Sequence, residues 1–356
     1  MTPGWRTAVL ATAVLVVGTG SATYALGELH RSRDLRSRAP SVATATTAPD
    51  GSVLVFRHTG LDQEYGVVAE VSLADPDGPR TFTGVSCDRV YAVAAGASCL
   101  RTKRGVVTTF EQTDLDPDWR TVADHGLPGI PSRTRLSEDG SLVASTTFVN
   151  GDSYLTTGFS TRTEIHHFGS DAGGARSDQD SDGTSYGDLE QFTLILDGKE
   201  SAPTDRNIWG VTFAADDNTF YATVATGGRT YLARGDLAKH TLTTIADQVE
   251  CPSLSPDGTR IAFKERVDHD SGTWWTPAVL DLATGQRTVL SGESRNVDDQ
   301  IAWLDDDTLL YGLTRADEAG VTDVWSLATD PAATPRLFLE QAWSPAVIRQ
   351  PQGASP

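Results

Sequence analysis

A sharp turn followed by a short apolar strand recurs along this chain, and that recurrence limits the fold more than any other feature. The clearest copy is Ser255-Pro256-Asp257-Gly258-Thr259-Arg260-Ile261-Ala262-Phe263. Ala48-Pro49-Asp50-Gly51-Ser52-Val53-Leu54-Val55-Phe56 aligns with it without a gap. Further copies begin at Leu136, Phe213 and Trp303, and a degraded one covers Val85-Ser86-Cys87-Asp88-Arg89-Val90-Tyr91-Ala92. The six anchors fall near 47, 85, 136, 213, 254 and 303, spaced by about 38, 51, 77, 41 and 49 residues. Four of those five intervals match the length of one four-stranded propeller blade.

A second feature keeps the same phase. About 24–28 residues after four of the anchors comes an apolar strand ending in a turn, at Val71–Gly78, Gly235–Lys239, Leu280–Gly285 and Trp325–Asp330. Asp and Gly supply the backbone angles of a tight reversal and Pro fixes one of them. A single small sheet cannot bury both faces, whereas a closed ring of six can. The sequence therefore predicts an all-β, six-bladed β-propeller over residues 48–348, with the strand after each turn at the central axis.

The Ser-Pro-Asp-Gly-Thr-Arg-Ile-Ala-Phe repeat resembles that of TolB-type β-propellers. The stretches Gly158–Thr163, Gly187–Phe192, Trp209–Phe213 and Ala225–Tyr231 are similar to those of a TolB-like exported group from high-GC Gram-positive bacteria. The resemblance implies the propeller fold and, through TolB itself, a protein-binding scaffold without catalysis. Nothing in the sequence corresponds to TolB's separate α/β domain.

The formal net charge is −19. Such a surface repels phosphate backbones, so nucleic acid is not an expected partner. Thr7–Gly27 is uncharged, mostly apolar and long enough to span a bilayer. Residues 1–28 therefore read as either a cleaved signal peptide or a membrane-anchoring helix. The basic patch His30–Arg38 opposes export under the positive-inside rule, but a domain behind an N-terminal apolar segment ordinarily follows it across. Residues 29–47 read as a flexible linker and 349–356 as a disordered tail. The expectation is an extracytoplasmic monomer, secreted or held at the membrane by residues 7–27.

Cys87 and Cys99 are 12 residues apart around a hairpin. In an exported protein that spacing suits a disulfide, the alternative being two buried thiols. Cys251 is left over as a small buried residue.

Between the third and fourth copies lies an acidic insertion with Asp178, Asp180 and Asp182 before Gly183. Alternating carboxylates before a Gly turn can wrap a calcium ion. The pattern is incomplete, because Leu189 occupies the twelfth position and Glu190 comes one residue late; a solvated acidic loop is the competing reading. Gly183-Thr184-Ser185-Tyr186-Gly187 matches a nucleophile-elbow pattern formally but lacks the strand-to-helix context. His166-His167 point to opposite faces of a strand and cannot easily share a metal, while His58, His125, His240 and His269 show no ligand spacing. Arg101, Lys103 and Arg104 read as a solvated hairpin tip, and Trp274-Trp275 as packing between blades. No catalytic constellation and no cofactor beyond calcium is expected. The functional expectation is a non-catalytic scaffold for a protein, peptide or cell-envelope ligand; the alternative is a lyase- or hydrolase-type enzyme using the channel mouth, with calcium.

Overall fold

The computed structural model describes residues 37–149, 160–170, 185–269 and 272–350, together with Gly27 and Asp34. The calls on the N-terminal apolar segment and on the Asp178, Asp180, Asp182 calcium loop lie outside these residues, Gly27 excepted. Among the described residues, no helix is long and apolar enough to cross a membrane.

The described strands form six sheets. Each is a blade of one ring, and six inner strands meet around the axis: Ala342–Ile348, Arg89–Val93, Ile130–Leu136, Asn207–Phe213, Glu250–Leu254 and Ala302–Trp303. They open blades 1 to 6 in that order. The all-β, six-bladed propeller expected from the repeat is the observed architecture.

The position of the repeated turn within the blade differs from the expectation. Ser255–Thr259 connects the inner strand Glu250–Leu254 to the second strand Arg260–His269. The apolar run after the turn is therefore the second strand, not the axial one. It must be apolar on both sides because alternate residues face alternate neighbours. In blade 1, Val53 and Val55 pack with Val90 and Ala92 of blade 2, while Leu54 and Phe56 pack with Leu310 and Val324 of blade 6. The degraded copy is also out of register. Val85–Asp88 links blade 1 to blade 2, and the turn equivalent to Ser255–Thr259 in blade 2 is Ala94-Ala95, between Arg89–Val93 and Gly96–Lys103.

The turn's Asp is explained by its side chain. Asp257 Oδ1 accepts from Ser255 Oγ at 2.5 Å and from Thr259 N at 3.0 Å. Asp139 does the same with Ser137 Oγ and Ser141 N at 2.7 and 2.8 Å. The next residue needs positive φ, which Gly258 and Gly140 supply at 71° and 78°, and which Asp217 supplies at 50° in the copy that lacks glycine.

The chain closes its own ring. Ala342–Ile348 pairs antiparallel with Val53–His58, so blade 1 is built from both ends of the propeller. Thr44–Ala45, within the stretch read as linker, adds a parallel strand to the outer edge of that blade, against Arg80–Thr81. Blade 4 is widened similarly by Thr193–Leu196 and Lys199–Ser201.

Apolar clusters join blades 1 and 2, 1 and 6, 3 and 4, 4 and 5, and 5 and 6. The contact between blades 2 and 3 is different. Ser98 and Thr134 meet there at 2.7 Å, and farther from the axis buried Gln112, Asp114, His125 and His166 meet.

Candidate functional site

The axial channel has two unlike mouths. One is ringed by the repeated turns, including Glu138, Ala215 and Pro256–Gly258. The other is entered from the starts of the inner strands. There a cavity of about 540 Å³ is lined by four cationic side chains, Arg89, Arg133, Lys264 and Arg266, by two acids, Glu250 and Asp298, and by Phe148, Trp209 and Trp275. In a chain with net charge −19 this is a local inversion of sign.

Strand geometry assembles this cup. Arg89, Arg133, Trp209 and Glu250 come from the inner strands of blades 2 to 5. Lys264 and Arg266, two residues apart on the second strand of blade 5, share one face. The cross-strand partner of Arg266 is Trp275, whose ring lies under Lys264 Nζ at 4.2 Å and the Arg266 guanidinium at 4.8 Å. Cation–π contacts of this kind hold both cations at the mouth.

The charges are partly compensated. Arg89 pairs with Asp299 at 2.9 Å and stacks on Trp343 at 4.6 Å. Burial, with Arg133 beside it, pulls the Arg89 guanidinium down to about 10. Arg133 is also pushed down by burial, but Cys251, Asp299 and Asp298 outweigh this and hold it above its ordinary value. Burial pushes the Asp298 carboxyl up, yet Lys264, in direct contact with it, keeps it below the usual range. Two buried donors at this mouth, Arg133 Nε and Trp275 Nε1, have no hydrogen-bond partner within the described residues.

The sequence-predicted residues fall as follows. Cys87 and Cys99 are joined by a disulfide, and Cys251 is a buried free thiol that lines the cationic cup. Glu190 is engaged away from any acidic loop, accepting from Thr163 N at 3.0 Å, Ile208 N at 3.1 Å and Thr161 Oγ at 3.0 Å. Ser185–Asp188 is a strand paired with Glu164–His166, so the Gly-x-Ser-x-Gly match is not followed by a helix. Arg101 and Lys103 both contact the single carboxylate of Glu111. His166 is buried, and half-buried His167 packs on Tyr186 with ring centres 5.5 Å apart. Trp275 proves to be part of the channel mouth rather than only blade packing.

Sequence reasoning missed one constellation. Asp114, His125 and His166 converge, with one donor atom from each lying within 4.8 Å of the others. Asp114 and Gln112 are alternate residues of the strand Thr109–Leu115, and His125 is the cross-strand partner of Gln112. All three therefore share the face of blade 2 that meets His166 of blade 3. Burial pushes the Asp114 carboxyl up, but the two imidazoles facing it and the Gly169 amide hold it well below the usual range; burial keeps His166 below the ordinary histidine value.

No protein-family model matches the chain, and no curated protein matches it. Among solved structures, the chain is similar to TolB from Acinetobacter baumannii, with 15% identity, a TM-score of 0.53, and coverage of 83% of this chain and 66% of that one. The chain thus spans just under two thirds of that TolB's length. It is also similar to a chain of a nidogen/laminin complex, at 11% identity and a TM-score of 0.50, covering 83% of this chain and 98% of that one. A putative TolB from Agrobacterium tumefaciens aligns at 11% identity and a TM-score of 0.47, over 82% of this chain and 89% of that one. These likenesses show a TolB-like propeller fold; they do not extend to the high-GC Gram-positive group suggested by the motifs.

Proposed function

We propose that this protein is an extracytoplasmic, non-catalytic propeller scaffold that binds an acidic segment of a protein, peptide or cell-envelope ligand at the cationic mouth of its channel. One observation carries this reading. In a strongly acidic chain, the cup gathers Arg89, Arg133, Lys264 and Arg266 around Trp209 and Trp275, and leaves Arg133 Nε and Trp275 Nε1 without acceptors. Buried donors are ordinarily satisfied, so an acceptor-rich, negatively charged ligand complements the cup. Rigid aromatic and arginine anchors in a concave site are the usual carriers of binding energy. Export is supported by the Cys87–Cys99 disulfide and by the N-terminal apolar stretch. The motif resemblance to exported TolB-like proteins agrees with this.

The test uses poly-L-glutamate as probe and tryptophan fluorescence as readout. The protein should bind the probe with an affinity that falls steeply as salt rises. Arg266→Glu, a change at an exposed position, should weaken binding at least about tenfold, since reversing a charge at a binding surface introduces repulsion. Equal binding by the variant, or none by the parent chain at low salt, would overturn the reading. Turnover of a lactone or glycan substrate abolished by Glu250→Gln would replace it with the enzymatic alternative.

A further inference from the structure

We infer that Asp114, His125 and His166 form a binding site for a divalent transition-metal ion, of which zinc is the representative, that clips blade 2 to blade 3. Three independent observations support it.

The first is the geometry. His125 Nε2 and His166 Nε2 lie 3.5 and 3.6 Å from Asp114 Oδ2. These separations are long for a hydrogen bond. They match the edge of a coordination tetrahedron, which is about 3.4 Å for metal–ligand bonds of about 2.1 Å. Two imidazoles and one carboxylate form a set suited to first-row transition metals rather than to calcium or magnesium, which take oxygen.

The second is unsatisfied polarity. His125 is 2% exposed, yet neither of its ring nitrogens has a hydrogen-bond partner within the described residues. Oε1 of fully buried Gln112, next to it, has none either. Orphaned buried atoms are rare, and several in one place call for a missing partner. The remaining contacts hold the ligands in place: Gln112 Nε2 donates to Asp114 Oδ1 at 3.0 Å and Gly169 N to Asp114 Oδ2 at 3.0 Å. Second-sphere bonds of this kind orient ligating carboxylates.

The third is the place of the cluster. The five other contacts between neighbouring blades each carry an apolar cluster, whereas this one brings together Gln112, Asp114, His125 and His166. A metal bound by Asp114 and His125 of blade 2 and by His166 of blade 3 would supply cohesion where apolar burial does not.

The experiment uses the full chain, stripped with chelator and titrated with zinc sulfate in a calorimeter, with metal content measured after gel filtration. One zinc per chain is expected, with a rise in the unfolding temperature, and no comparable effect of calcium or magnesium. His125→Gln and Asp114→Asn should each weaken zinc binding by more than about a hundredfold, the upper range for second-sphere changes. The triple change Asp178→Asn, Asp180→Asn, Asp182→Asn should leave zinc binding unchanged. Should either triad variant fail to fold, cobalt(II) added to the stripped parent chain decides the matter, because tetrahedral nitrogen ligation gives intense visible bands. Substoichiometric zinc, equal zinc binding in folded triad variants, loss of zinc in the acidic-loop variant, or a cobalt spectrum like that of the aqueous ion would each overturn the inference.

Discussion

Arg80 donates a hydrogen bond from its guanidinium to His58 Nδ1 across 2.9 Å, with both side chains buried. Arginine can only donate, so Nδ1 accepts and the ring proton sits on Nε2, where it reaches Asp62 Oδ2 at 3.1 Å. Arg80 also donates to the backbone oxygens of Glu340 and Gln341 at 2.6 and 3.3 Å. This polar group therefore ties the second strand of blade 1 to the residues that lead into the closing strand.

Replacing Arg80 with Met should destabilise the fold by about 3 kcal/mol, because it leaves His58, Asp62 and two carbonyls without their donor in a buried site. Chemical denaturation would show it as a lower midpoint. A change below about 0.5 kcal/mol would mean that the closure does not depend on this residue.

The same group makes stability depend on pH. Burial holds His58 below the ordinary histidine value, with Arg80 adding to the shift and Asp62 and the Gln341 backbone opposing it. The unfolded chain then binds more protons than the folded one as pH falls through about 6.5. Stability should be full above that pH and decline below it. His58→Gln should flatten the decline between pH 7 and 5, measured by unfolding midpoints across that range; an unchanged slope would assign the effect to other groups.

Without reductant and in urea, each chain should show one thiol to a colorimetric reagent, that of Cys251; with prior reduction and removal of reductant it should show three. Folded protein should show almost none, since Cys251 is buried. Reduction should lower stability by up to about 3 kcal/mol, the loop-closure contribution for a span of this size.

Gly210→Ala should destabilise by about 2 kcal/mol or more. Gly210 has φ +69°, and an added Cβ would lie 2.8 Å from Cys251 Cα on the neighbouring inner strand. The strain falls beside the cationic cup, so the variant should also alter poly-L-glutamate binding. Wild-type stability in this variant would show that the inner strands can separate without cost.

The ring was legible in the sequence because its signal is local. An Asp that bonds amides two residues away, followed by a residue of positive φ, marks each turn without reference to the rest of the chain. The strand that lies at the axis was not legible, because inner strands are defined by their neighbours across the channel. Ala342–Ile348 carries no turn motif after it, and its partnership with Val53–His58 joins positions almost 300 residues apart. The Asp114–His125–His166 group was hidden for a similar reason. Its face depends on a cross-strand register and on the packing of a second blade, and the chain spacing holds no trace of either. Trp275 reads as ordinary packing until its partner Arg266 is known.

Because the final strand is laid against one of the first, the circle stays open throughout synthesis. Every earlier wedge can form as its own residues emerge, yet the seam between the first and last wedges must wait for the C-terminal stretch. A prematurely terminated product would keep a gaping edge with unpaired amides, a natural target for quality-control proteases, so intact length is verified by the architecture itself.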